Sequence, residues 1–147
     1  VFTQKILNSI DFLFTNSNTI IEILKFDINS NSDNIFDETE KTVSELLKIY
    51  NIPIIAMTIR KQNKLAALIS NKSYNYTSEI YEVNQIDRVG AGDSFLGATI
   101  HGFLSKWDMH KIISFATSSF AIAHTFKGDI NKFTDLEINK FRITDVH

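Results

Sequence analysis

The sequence predicts an α/β fold with a mostly parallel sheet and an antiparallel hairpin margin. The run Ile54-Ile55-Ala56-Met57-Thr58-Ile59, just after the only proline, Pro53, is continuously apolar, as a strand covered on both faces must be. Leu65 to Ser70 and Ser73 to Val83 alternate loosely around Asn71-Lys72, like the arms of a hairpin with a two-residue turn. Apolar stripes at helical spacing flank these segments on both sides, and helices interleaved with strands give the α/β order.

Taken in order, a helical stretch around Gln4 to Ser9 leads into a short buried strand at Asp11 to Phe14, with a turn at Thr15 to Thr19. Ile20, Ile21, Ile23 and Leu24 form a helical stripe, and the Asn- and Ser-rich tract Asn29 to Asn34 is a loop. A second helix is expected from about Asp37 to Tyr50, with Val43, Leu46, Leu47 and Tyr50 inward. After the hairpin come helices at about Asp93 to Ser105 and Met109 to Thr125, joined at Lys106-Trp107-Asp108. Gly97, Ala98, Ala116 and Ala121 permit their close packing, and Lys127-Gly128-Asp129 ends the second. Thr134 to Phe141 closes the chain as a short helix, with Thr134 and Glu137 spaced as a capping box.

A chain of 147 residues fits one domain with its own apolar core, and 44% hydrophobic against 22% charged residues is a globular balance. Fifteen Lys and Arg against seventeen Asp and Glu give a net charge of −2, so nothing electrostatic points to nucleic acid or an anionic membrane. A small molecule or a protein is the expected partner. The absence of Cys rules out disulfides, thiolate catalysis and Cys-based zinc sites, and fits a reducing compartment, hence the cytoplasm. No apolar run reaches the roughly 20 residues of a membrane-spanning helix, and the first residues lack a signal-peptide layout. The chain starts at Val1 and enters a helical pattern almost at once, which points to a segment of something longer.

The chemistry-bearing stretch is Gly90-Ala91-Gly92-Asp93, where two glycines flank a small residue between an apparent strand and a helix. Such a loop can aim successive N–H groups into one concavity, backed by the positive end of the helix, and so receive phosphate or a developing anion. A carboxylate beside an anion hole suits phosphoryl transfer to an alcohol, with Asp93 as base and the N–H groups of Ala91, Gly92 and Asp93 as the hole. The same residues also make an ordinary turn followed by an N-capping aspartate, and four residues do not separate the two. The P-loop pattern is absent, and Phe95 stands where the third glycine of a dinucleotide fingerprint belongs.

Over nine residues, Asp87-Arg88-Val89-Gly90-Ala91-Gly92-Asp93-Ser94-Phe95 resembles the Asp-Thr-x-Gly-Ala-Gly-Asp-Ser-Phe signature of ribokinase-like (PfkB-type) carbohydrate kinases. The strand ending at Met57-Thr58, the hairpin, the signature and the two following helices are similar in order to the C-terminal half of that family. The resemblance covers most of the chain and implies a partial domain, residues 1–147, of a three-layer α/β/α fold. It implies ATP and Mg2+ as cofactors, Asp93 as catalytic base and Gly90, Ala91, Gly92 and Asp93 as anion hole. Thr58, Arg60, Arg88 and Gly128 then fall on the nucleotide side, with Thr117 and the segment Thr125 to Asp129 near the adenine. Asp87 and Val89 match positions whose backbone helps hold a monovalent cation such as K+. Arg88 in place of the usual threonine, Thr58-Ile59-Arg60, and His124-Thr125-Phe126-Lys127-Gly128-Asp129 look most like 2-keto-3-deoxygluconate kinases. Fructokinase or ribokinase-type specificity stays open, because these stretches do not read the sugar.

Two departures stand out. Asn16 matches the start of the family's Asn-x-x-Glu/Asp motif, which organises magnesium and phosphates, but its acidic position is Thr19, whose hydroxyl supplies no charge. Asn16 is then either a phosphate-side residue or a turn stabiliser. The family's N-terminal half, with its sugar contacts and the lid that forms a homodimer interface, has no counterpart here. The resemblance thus implies a segment without a complete active site, or a catalytically silent nucleotide-binding module. His101, His110, His124 and His147 show no zinc spacing and are expected to be structural or solvated. Phe115, Phe120 and Phe126 are expected in the core. Lys61, Lys64 and Lys72 are expected on a solvated hairpin rim, Lys61 being close enough to Arg60 to reach a phosphate.

Overall fold

The computed structural model describes residues 2–130 and 132–144. Along them run α1 (Phe2–Leu7), β1 (Phe12–Thr15), α2 (Ser17–Leu24), α3 (Asp37–Ile49), β2 (Ile54–Lys61), β3 (Lys64–Ser70), β4 (Asn75–Thr77), β5 (Tyr81–Glu82), α4 (Ala91–Leu104), α5 (Met109–Ala123) and α6 (Asp135–Thr144). The sheet has the order β1-β2-β3-β4, with β5 also on β3. It is mixed. β1 and β2 are parallel, registered from Phe12↔Ile54 to Thr15↔Met57, which requires a crossover, here α2 and α3. β5 is antiparallel to β3, with Lys64 opposite Glu82 and Leu65 opposite Tyr81.

Several expected boundaries shift, each for a local reason. β1 is half-buried rather than buried, since among the described residues only β2 lies beside it. The turn before α2 shrinks, because Asn16 Oδ1 accepts the Thr19 N–H at 3.0 Å and starts the helix at Ser17. The strand continues past the apolar run through the exposed Arg60 and Lys61, which close β2. The chain reverses at Gln62-Asn63, where Gln62 takes φ 58; the pair lacks the glycine that marks most two-residue hairpins. At the other end of β3 the turn spans Asn71 to Tyr74, closed by Asn71 N–H on Tyr74 O at 3.2 Å and Tyr74 N–H on Asn71 Oδ1 at 2.9 Å. The expected second hairpin arm is interrupted and becomes two short strands, β4 and β5, each paired with β3.

The chain divides into two units, residues 1–59 with 68–76 and residues 60–67 with 77–147. In the first, Leu7, Ile20, Val43, Leu46, Tyr50, Ile52, Ile55, Met57 and Leu68 form one apolar cluster. A buried hydrogen bond of 2.9 Å between the Ser17 and Thr39 hydroxyls joins α2 to α3 within it.

The second unit is dominated by α4 against α5. Phe95 and Phe120, both fully buried, meet edge to face with centroids 6.2 Å apart. The close approach comes at Gly102, where a Cβ would lie 2.7 Å from Ile112 Cγ1, whereas Gly97, expected in this role, faces open space. Lys106 ends α4 in the left-handed conformation, its N–H on Phe103 O and that of Trp107 on Gly102 O, both at 3.0 Å. Asp108 then caps α5, accepting the Lys111 N–H at 2.9 Å. α5 stops at Ala123, and residues 124–130 form the turn that receives the candidate loop. The expected capping box opens α6, with Thr134 N–H on Glu137 Oε2 at 2.8 Å and Glu137 N–H on Thr134 Oγ1 at 3.4 Å. Among the described residues no helix is long and apolar enough to cross a membrane.

Candidate functional site

The loop entering α4 is held from both ends. The N–H groups of Ile86 and Asp87 donate to His124 O at 2.8 and 3.4 Å. The Asp87 carboxylate then folds the loop around itself. Its Oδ1 accepts from the N–H groups of Arg88 at 2.7 Å and Val89 at 3.2 Å, and its Oδ2 from that of Gly128 at 3.1 Å. These bonds, that from Gly128 foremost, hold the Asp87 carboxyl below the usual carboxylate range.

Gly90 is the residue the loop cannot replace. It takes φ 74 at the N-cap of α4, and a Cβ there would stand 2.6 Å from Asp129 O. Having no side chain, it leaves α4 without a side-chain cap. The first turn of a helix has N–H groups with no acceptor of its own, here those of Ala91, Gly92 and Asp93. Ala91 reaches Arg88 O only at 3.4 Å. Ala91 is buried, Gly92 half-buried and Asp93 exposed, so the outward part of the turn carries one glycine N–H and one carboxylate. Positive helix end, uncommitted donors and a carboxylate therefore coincide.

Arg60 adds a cation held without an acid. Its guanidinium lies 5.1 Å from the Phe120 ring centroid, and its Nε–H donates to His124 Nε2 at 3.1 Å. His124 is fully buried, and its Nδ1 lies 2.7 Å from Phe120 O. A carbonyl only accepts, so Nδ1 carries the proton and Nε2 offers its lone pair to Arg60. Burial, and then the charges of Arg60 and Arg88, push the His124 pKa down against the bond to Phe120, which favours the neutral ring this geometry needs. Burial and the neighbouring Arg88 also lower the Arg60 pKa. Among the described residues neither arginine has a carboxylate ion-pair partner.

The structure thus brings Arg60, Asp87, Arg88, Val89, Gly90, Ala91, Gly92, Asp93 and Gly128 to one stretch of the second unit. Thr117 is not presented there: it is fully buried, and its hydroxyl donates to Ile113 O at 2.7 Å. Thr58, in the first unit, is buried within β2 at 8% exposure. Asn16 spends its Oδ1 on Thr19, receiving the N–H at 3.0 Å and the hydroxyl at 3.2 Å, which matches the turn-stabilising reading. Among the described residues no group of three or more His, Asp or Glu side chains could hold a metal ion. His101 lies 3.4 Å from Asp135, and His147 lies outside the described residues. Lys64 pairs with Glu82 at 3.5 Å on the exposed rim.

Sequence reasoning placed Phe120 in the core and His124 among the structural or solvated histidines, but missed their joint hold on Arg60. A buried histidine bonded at both ring nitrogens leaves no spacing signature in the sequence.

The pfkB family carbohydrate kinase profile matches residues 3–135, and the chain belongs to that family. A search of curated protein sequences finds no match. Among solved structures, a 2-dehydro-3-deoxygluconokinase from Thermotoga maritima superposes with a TM-score of 0.85 at 27% identity, over 96% of this chain and 44% of that one. A candidate 2-keto-3-deoxygluconate kinase from Enterococcus faecalis gives a TM-score of 0.78 at 26% identity, over 99% and 45%. A candidate ribokinase II from E. coli, solved with ATP and Mg2+, shares the fold at a TM-score of 0.71 and 21% identity, over 95% and 41%. The fold is ribokinase-like α/β, and the chain spans less than half the length of these structures.

Proposed function

We propose that this chain is the C-terminal, ATP-handling half of a kinase that phosphorylates a hydroxyl of a sugar or sugar acid, 2-keto-3-deoxygluconate being the preferred acceptor. The observation that carries the reading is the uncapped start of α4, where Gly90 in its left-handed conformation leaves first-turn N–H groups open beside the exposed Asp93. The similarity to a 2-dehydro-3-deoxygluconokinase structure and to that of a candidate 2-keto-3-deoxygluconate kinase, together with the Arg88 variant of the signature, supports the substrate class.

In this reading Asp93 takes the proton of the acceptor hydroxyl as its oxygen attacks the γ-phosphorus, and the bond from that phosphorus to the bridging oxygen breaks to release ADP. The N–H groups of Gly92 and Asp93 receive the negative charge on the moving phosphoryl oxygens. Arg60 and Arg88, without acidic partners among the described residues, complement the nucleotide phosphates. Mg2+, bound together with the nucleotide, would offset the charge of its phosphates, and among the described residues no group of three or more His, Asp or Glu side chains is placed to hold it. A K+ ion would use the backbone carbonyls of Asp87 and Val89, since three N–H groups already occupy the Asp87 carboxylate. Asn16 and Thr117 contribute through structure, the Asn16 Oδ1 accepting from Thr19 and the Thr117 hydroxyl donating to Ile113 O. The cytoplasm and a homodimer of the full-length kinase complete the reading.

A panel of 2-keto-3-deoxygluconate, fructose and ribose, assayed for acceptor-dependent ADP release by the full-length kinase, tests it. Turnover greatest with the sugar acid is expected. Turnover with none of the three favours the silent nucleotide-binding module, which the neutral Thr19-Asn16 pairing otherwise supports. The 147-residue chain alone is expected to be inactive, and turnover by it would contradict the half-site reading.

A further inference from the structure

We infer that His124 is a positioning residue that fixes the Arg60 guanidinium, through its Nε2 lone pair, as the group that takes hold of a nucleotide phosphate. The inference rests on the kinase reading above and deepens it. Arg60 is immobilised in a way that leaves its charge unspent. One face lies over Phe120 and Nε is bonded to a neutral ring, so both terminal nitrogens keep their donors, and no carboxylate of the described residues pairs with them. An arginine held for stability alone would ordinarily be given an acid. Here a neutral acceptor orients the guanidinium while its positive charge stays available to an oxyanion.

His124 also ties this cation to the phosphate loop. Its carbonyl accepts from Ile86 at 2.8 Å and Asp87 at 3.4 Å, while its side chain accepts from Arg60 at 3.1 Å. A single buried residue therefore sets both the entry to the loop and the direction of the guanidinium. Arg88, one residue beyond Asp87, adds a second charge with no acid partner among the described residues, close enough to be felt by both Arg60 and His124. An ammonium in place of Arg60 would lack both the planar face over Phe120 and the fork beyond it.

Two substitutions separate positioning from packing. In His124→Asn the shorter amide reproduces Nδ1 and its bond to Phe120 O but offers nothing to Arg60. In His124→Gln the longer amide carries its oxygen to the position of Nε2 and keeps that acceptor while losing the Phe120 bond. With the full-length kinase, KM for ATP is expected to rise about tenfold in His124→Asn and to stay within about twofold in His124→Gln, with KM for the sugar unchanged in both. In an Arg60→Ala background the effect of His124→Asn on KM for ATP should disappear.

Equal effects with Arg60 present and absent, or a larger effect from His124→Gln, would overturn the inference. A rise in sugar KM in place of ATP KM would overturn the phosphate assignment. If both variants prove unstable, Arg60→Lys provides the test: an about tenfold rise in KM for ATP is expected, and unchanged KM overturns the inference. Failure of the kinase reading looks different, since the unmodified protein would then show no ATP-dependent turnover at all.

Discussion

Two helix starts in this chain are completed in opposite ways. α2 begins after a strand with Asn16, whose side chain accepts the Thr19 N–H and closes the turn on itself. α4 begins after a loop with Gly90, which has nothing to cap with and leaves the first turn open beside Asp93. The first is finished as structure. The second lacks a side-chain cap, while among the described residues the adjoining arginines have no acidic partner. The difference teaches where a ligand is expected: at the helix end whose donors and cations the fold has left uncompensated.

Replacing Gly90 breaks the contrast most severely. Gly90→Ala must take φ 74 and push its Cβ against Asp129 O at 2.6 Å, so a loss of about 2 kcal/mol or more in denaturant unfolding is expected, together with loss of ATP binding. A variant that kept both would show that the loop does not need its observed shape. Asn16→Ala should cost about 1 kcal/mol of stability by removing a cap. At constant fold it should leave KM for ATP within about twofold, since the side-chain oxygen is already committed. Gly97→Ala, in the middle of α4 with open space around it, should raise stability by about 0.5–1 kcal/mol, measured in the same unfolding assay.

Acid should separate the supports of the loop in two steps. His124 has a lowered pKa, so its neutral form favours folding. That contribution is complete above the ordinary value of 6.5 and is lost as pH falls from there toward the lowered folded value, because burial first, and then the Arg60 and Arg88 charges, oppose the protonated ring. Asp87 also has a lowered pKa, so its contribution is complete above 3.8 and lost only as pH falls through the lower folded value. Unfolding followed against pH should show the first step vanish in a His124→Gln variant and persist in Asp87→Asn.

Much of this was legible in the sequence. The apolar run at Ile54 to Ile59 marked β2, and the Thr134/Glu137 spacing marked the start of α6. The signature from Asp87 to Phe95 named the family because its glycines and carboxylate sit at fixed offsets along the chain. The rest depended on contacts far apart in sequence or on conformations that residue type does not announce. Gln62 adopts a left-handed turn without being glycine, so the β2-β3 reversal was hidden. Gly102 rather than Gly97 makes the close helix approach, because the face of α4 that meets α5 is set by tertiary packing. His124 and Arg60 are 64 positions apart, and nothing local to either reveals their bond.

The account stands on Asp93 acting as the base at an open anion hole. Single-turnover phosphoryl transfer by full-length Asp93→Asn, set beside its ATP dissociation constant, tests this most directly. Transfer is expected to slow at least about 100-fold, with ATP affinity within about threefold of the unmodified protein. Transfer at an undiminished rate would contradict the assignment of Asp93.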